Sequence, residues 1–188
     1  VDFPRQDHAP IAPWLAQKTG MIAIGGPVWS REGVGYGNAL LSRYPVDRVR
    51  RWDLSVGRHE PRGALDVELT ICGRTVHVLN THLGLWPRER PQQADRLLEL
   101  LALSRRDLTI LMGDLNEWHG WGKSLRGLRR VFGSPAAPVT FPARWPVLAL
   151  DRIWIFPAQA LLTVEAHDTP RSRLASDHLP VKADIYLP

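Results

Sequence analysis

The chain has 188 residues, 44% of them apolar and 23% charged, which suits one globular domain with a single sizeable core. No run reaches the roughly 18–20 continuous apolar residues of a bilayer-spanning helix, and the start has no basic-then-apolar signal pattern. The net charge of +5 and pI near 10.0 favour anionic partners such as nucleic acid, phosphorylated small molecules or anionic lipid headgroups, or else describe a solvated basic surface. Arginine greatly outnumbers lysine, as a GC-rich genome would also produce. A single cysteine, Cys72, excludes an internal disulfide and ties the fold to no oxidising compartment, so a cytoplasmic location is the expectation. Within its apolar strand pattern Cys72 reads as core packing.

In chain order, residues 8–19 predict a short helix ended by Gly20, and 21–24 a brief buried strand. The Gly-rich stretch 25–37 reads as a loop, and NALLSRYPV as a strand closing at Tyr44–Pro45. From 46 to 81 the pattern is all β, three period-2 segments with a hairpin turn at Gly73–Arg74 between the last two. A helix follows over about 87–103, with Ala94, Leu97, Leu98 and Leu101 on one face. Residues 108–112 (LTILM) are all apolar, the mark of a strand covered on both sides. A second helix near 121–131, a Pro-rich loop over 134–146, and strands at 149–156, 160–167 and 180–187 complete the chain. Hairpins, a buried strand and two or three helices predict an α+β or α/β layered sandwich in one domain, 1–188.

The informative positions are polar residues where apolar strands end. VHVLN leads into Thr81 and His82, and LTILMG into Asp114 and Asn116. Asp151 interrupts VLALDRIWIF, and Ser176, Asp177 and His178 precede the final strand. Any one of these could cap a turn or hydrogen-bond structurally. Asp151 is different, because a carboxylate inside an apolar strand costs several kcal/mol unless paired, and His178 is the candidate partner. Strand ends in open sheets gather loops into one crevice. Three carboxylates and two histidines there suit an oxygen-liking divalent cation and a phosphate substrate. Zinc is disfavoured by the lack of HExxH or paired cysteines, and a serine hydrolase by the lack of GxSxG.

These residues bring a resemblance into view. YGNALLSRYPV (36–46), NTHLG (80–84), GDLN (113–116), LDRIW (150–154) and SDHLP (176–180) resemble, in order and spacing, the core motifs of the endonuclease/exonuclease/phosphatase superfamily. The GDLNEW form (113–118) and the FPARWPVLALDRIWI stretch (141–155) look most like its bacterial uncharacterised branch, not its DNA-repair endonucleases. The resemblance implies a four-layered α/β sandwich of two packed β-sheets and Mg²⁺-dependent hydrolysis of phosphate esters, with Mn²⁺ as the other ion. It implies that Asp114 activates the attacking water, Asn116 holds phosphate geometry, and His82 assists the leaving oxygen or binds phosphate. Asp151 would hold His178, which stabilises charge on the phosphoryl oxygens. Asp114, Asn116 and Asp177 would be metal ligands, with Asn38 and Arg62 lining the substrate crevice.

The resemblance also implies that a strand, a helix and a strand with a metal-binding glutamate belong before VDFPR, so that the chain as given is expected to be poorly active. For the substrate, Trp29, Trp86, Trp118 and Trp121 in nearby loops could stack nucleic-acid bases, or be partly buried. They could also enter a membrane surface, as in a lipid-headgroup phosphodiesterase of sphingomyelinase type. A non-catalytic remnant serving as a binding module is the other class. No protein partner is inferred.

Overall fold

The computed structural model describes residues 11–31, 34–104 and 107–187. The first helix, α1, spans Ile11–Thr19, residues 8–10 of its expected range and the VDFPR start lying outside the described residues. The Gly-rich stretch read as a loop is strand. β1 (Ile22–Arg31) pairs antiparallel with β2 (Val34–Ser42). Glycine serves close approach here, since a Cβ on Gly37 would sit 2.2 Å from the Gly26 carbonyl oxygen.

Five strands form the central sheet: β3 (Val46–Asp53), β4 (Gly63–Ile71), β5 (Arg74–His82), β6 (Leu108–Asp114) and β7 (Asp151–Phe156), in that spatial order. Only the β5–β6 pair is parallel, and its crossover is helix α2 (Arg90–Ser104). This helix starts later than the Pro87 signal suggested, after a turn in which the Glu89 amide donates to the Trp86 carbonyl. Helix α3 (Lys123–Phe132) precedes the irregular 133–150 stretch. A second hairpin, β8 (Leu161–Ala166) with β9 (Val181–Ile185), brackets the one-turn helix α4 (Ser172–Ala175).

Alternation along the strands makes two cores. Leu65, Val67, Leu69, Val76, Val78 and Ile155 pack against Ile24 and Leu40 of the first hairpin and Leu161 and Ile185 of the second. On the other face, Ala64, Leu79, Leu111 and Trp154 meet Leu97 and Leu101 of α2 and Leu125, Leu128 and Phe132 of α3. The fold is thus mixed α/β with packed sheets and helices, as expected from sequence. Cys72 departs from expectation. It is exposed, at φ +50° in the β4–β5 hairpin turn, because its apolar-looking strand has already ended at Ile71.

One buried polar cluster interrupts the helix-facing core. The Asp66 carboxylate, 1% exposed, faces His77 Nε2 at 2.8 Å, Arg50 Nε at 3.2 Å and the Trp52 indole N–H at 3.0 Å. Burial pushes its pKa up, but the hydrogen bonds from His77 and Trp52 and the charge of Arg50 outweigh it, leaving Asp66 below the ordinary carboxylate range. A depressed folded pKa contributes stability that is present above the unfolded value, near 4, and lost as pH falls through the folded one. Asp66→Asn should therefore destabilise the chain by about 3 kcal/mol at neutral pH. Denaturant midpoints measured from pH 7 downward should converge with wild type in acid; parallel curves would show that Asp66 does not set the acid dependence.

Candidate active site

Three neighbouring strands place one polar residue each at the same end of the sheet. His82 ends β5, Asp114 ends β6 and Asp151 begins β7, and the registers set His82 opposite Asp114 and Asp114 opposite Asp151. The ladder continues past the strands through the Leu83 amide to the Asp114 carbonyl and the Leu115 amide to the Leu150 carbonyl. Gly113 makes this approach possible. It sits at φ +138°, and a Cβ there would lie 1.7 Å from the Thr81 carbonyl oxygen. Asn116, at φ +50°, closes the turn. Its amide donates to Asp114 Oδ1 at 2.8 Å, and its side-chain nitrogen donates to the Leu83 carbonyl at 2.8 Å.

His178 enters from the segment before β9 and is fixed by Asp151. Its Nδ1 donates to Asp151 Oδ2 at 2.8 Å, Thr140 Oγ1 donates to the same oxygen at 2.5 Å, and the Phe141 ring packs against the imidazole at 4.9 Å. The Asp151 hydrogen bond outweighs burial and raises the His178 pKa; burial would raise that of Asp151, but the same bond and the one from Thr140 lower it. The far nitrogen, Nε2, lies 3.9 Å from Asp114 Oδ2.

His82 stands on the other side of that oxygen, with Nε2 3.6 Å from Asp114 Oδ2. Its environment is opposite in sign. Burial first, then the charges of Arg62 and His178, push its pKa down to about 4. A neutral ring fits its contacts. Arg62 Nη1 donates to the Tyr36 hydroxyl at 3.1 Å, leaving the hydroxyl proton for His82 Nδ1 at 3.4 Å. Asp114 is raised, by burial and by the nearby Asp151 charge, against lowering from the Asn116 amide and the charges of His178 and Arg62.

Among the expected site residues, His82, Asp114, Asn116, Asp151 and His178 converge. Arg62 joins them through Tyr36, is 3% exposed and holds Glu60 at 2.7 Å, while its Nε has no hydrogen-bond partner. Asn38 is tied to the Gly63 carbonyl at 2.8 Å, the acceptor that Thr81 Oγ1 also uses. Among the described residues, Asp114, Asp151 and His178 offer ligand atoms within 4.8 Å of one another. Of the expected metal ligands, Asp114 belongs to that group. The Asp177 carboxylate is exposed beside Ser176, outside it, and the Asn116 amide nitrogen is turned to Leu83.

Tyr36, Thr140 and Phe141 are participants to which the sequence reading gave no role. Tyr36 lies two residues before Asn38, so period-2 alternation puts both on one face of β2, a usable signal. Thr140 and Phe141 sit in the Pro-rich segment, where no periodicity marks them.

The profile of the Endonuclease/Exonuclease/phosphatase family matches residues 3–178. The chain is 36% identical over 163 residues to "Uncharacterized protein YbhP" of Escherichia coli (strain K12), covering 81% of this chain and 63% of that one. It therefore spans somewhat less than two thirds of the length of that curated relative. Among solved structures, an endonuclease/exonuclease/phosphatase from Bacteroides vulgatus superposes at TM-score 0.75 with 20% identity, covering 92% of this chain and 78% of that one. A mannosyl-6-phosphatase of Bacteroides thetaiotaomicron gives TM-score 0.69 at 18% identity, covering 89% and 76%.

Gly113→Ala is the sharpest test of how the site is built. The added Cβ must push β6 away from Thr81 at a positive φ, which should cost about 2–4 kcal/mol in denaturant unfolding. A variant as stable as wild type would mean that the strand-end geometry is not the constraint described.

Proposed function

The chain belongs to the endonuclease/exonuclease/phosphatase family, and from that premise we propose that it hydrolyses phosphate esters, phosphodiesters foremost, at the strand-end cluster around Asp114. The observation that carries the reading is the placement of one carboxylate oxygen between two imidazoles of opposite character, 3.6 Å from His82 and 3.9 Å from His178. Such divergent tuning of adjacent groups is how one site separates proton acceptance from charge stabilisation.

Asp114 is the base. Its raised pKa increases its affinity for the proton of an attacking water, and Asn116 fixes its other oxygen through the backbone amide. His178, charged and held by Asp151, donates from Nε2 toward the phosphoryl oxygens where negative charge grows. His82 stays neutral and offers its Nε2 proton to a phosphoryl or leaving oxygen, oriented by Tyr36 and Arg62. Arg62, its charge paired with Glu60, keeps an unpartnered Nε as a spare donor, and Asn38 helps to shape the crevice through Gly63.

A divalent cation fits these residues. The Asp114 carboxylate, desolvated beside the Asp151 charge, would be relieved by a hard ion, and the two carboxylates are oxygen donors of the kind Mg²⁺ or Mn²⁺ takes; His178, protonated on both nitrogens in the role above, would stand beside the ion and not ligate it. Asn116 is the further ligand we propose, and the exposed Asp177 carboxylate would have to turn inward to join it. When bound, the ion neutralises phosphate charge and makes a bound water more acidic. The mannosyl-6-phosphatase among the structural neighbours acts on a phosphomonoester by its name, so both ester classes belong in the assay.

Asp114→Ala should lower kcat on bis-p-nitrophenyl phosphate and p-nitrophenyl phosphate by roughly 10²–10⁴-fold while thermal unfolding stays that of a folded chain. EDTA should abolish turnover and Mg²⁺ or Mn²⁺ restore it. Activity surviving in the variant would sink the role of Asp114. A full-length protein that binds phosphate esters but turns none over would favour the binding-module reading.

A further inference from the structure

The sheet end that holds the site is ringed by loops with an unusual surface. Four loops open there: 54–62 into β4, 83–89 after β5, 115–122 after β6, and 133–150 into β7. Three of them carry large aromatic side chains in solvent. Trp86 is 60% exposed, Trp118 59%, Trp121 80% and Trp145 71%. Exposed Leu85 and Val147 extend the apolar surface on the same loops. Indoles are ordinarily among the most buried side chains on average, so four of them outward on loops at one end of one sheet concentrate exposed apolar surface there.

Charge on these loops is sorted by sign. Arg88, Lys123 at the base of the third loop, Arg144 and Arg58 are exposed, while Glu89 and Glu117 are turned inside. Glu89 caps its own turn through the Trp86 amide, and Glu117 accepts from Ser124 and faces Arg90. Glu60, the remaining acid, is neutralised by Arg62. Solvent at the rim therefore meets indoles, aliphatic tips and cations, set against the exposed Asp177 carboxylate, whose backbone carbonyl accepts from the Ala143 amide of the last loop.

We propose that this rim docks on an anionic lipid bilayer, seating the candidate active site against the headgroup layer. Tryptophan prefers the membrane–water interface because its ring is apolar and its N–H remains hydrated there. Exposed aliphatics beside it enter the acyl boundary, and neighbouring cations meet anionic headgroups. A polynucleotide fits less well. Four dispersed cations are fewer than the roughly 6–10 phosphate contacts of a duplex-binding surface. Leu85 and Val147 offer a base nothing to stack on, and Trp86 and Trp121 each have one face against a histidine, His59 at 5.9 Å and His119 at 5.5 Å. Docking itself stands apart from hydrolysis; only its corollary, a substrate phosphate presented in the headgroup layer, rests on the proposed function.

Vesicle binding tests this with the full chain and needs no turnover. Sedimentation with vesicles of phosphatidylcholine, and of phosphatidylcholine with about 30 mol% phosphatidylglycerol, should show binding to the anionic set only, with a blue shift of tryptophan emission. Trp121→Ser combined with Trp145→Ser removes two side chains that pack little against the protein, and circular dichroism would confirm the fold. This double variant should lose about tenfold or more in vesicle affinity. Absence of binding to anionic vesicles, or undiminished binding by the double variant, overturns the proposal. So does single-stranded DNA binding that falls steeply with salt while vesicles are ignored, which would make the rim a nucleic-acid surface.

Discussion

The candidate site depends on one register, that of β5, β6 and β7 where they end. Because His82 pairs across from Asp114 and Asp114 from Asp151, three polar side chains arrive together without any loop having to deliver them. A shift of one residue on β6 would turn Asp114 to the other face and bring Gly113 to the rim. What pins the register is a steric fact at Gly113, whose missing side chain lets β6 lie against the Thr81 carbonyl. The loops follow from the same arrangement. Asn116 ties the turn after β6 to the end of β5 through Leu83, and the Leu115 amide ties it to the approach to β7.

On that frame the two histidines are made unlike. His178 touches a carboxylate directly and is fastened by it, so its charged form is favoured. His82 touches a hydroxyl that already accepts from a buried guanidinium, and its charged form is disfavoured by burial and by Arg62. The difference requires no difference in the residues themselves. It arises because β7 supplies an acid to one ring, while the β2 hairpin and the start of β4 supply Tyr36 and Arg62 to the other. Elements distant in sequence thus set the chemistry of residues whose position the central sheet has already fixed.

Much of this was legible in the sequence, for a definite reason. Apolar runs that stop at Asp, Asn or His are visible wherever a buried strand meets a crevice, so His82, Asp114 and Asp151 could be read from pattern, and Asp151 demanded a partner on energetic grounds. The helix-side core was readable too, since Leu97 and Leu101 keep helical spacing. Three things were hidden. The glycines of 25–37 looked like loop because composition cannot distinguish flexibility from close packing, and at Gly37 packing is what counts. Cys72 looked buried because hydrophobicity continued one residue beyond the ladder. Thr140 and Phe141 were invisible because an irregular segment has no period, and their contribution exists only once His178 and Asp151 are in place.

Another hydrogen-bonded Asp–His pair lies among the described residues, and comparing it with Asp151–His178 shows what sequence could not separate. Asp66 and His77 stand at 2.8 Å, the same distance as Asp151 and His178. Yet His77 is fully buried, Asp66 nearly so, and Trp52 and Arg50 close over the carboxylate from the neighbouring strand. Asp151 and His178 keep about a quarter of their side chains open, and the imidazole's far nitrogen faces another carboxylate. The first pair lies in mid-strand, where alternation directs it beneath the helix layer; the second lies at the strand end, where the layer stops. Pairing alone is therefore a structural device in this fold, and it becomes a candidate for chemistry only where the sheet runs out and a free nitrogen still has something to act on.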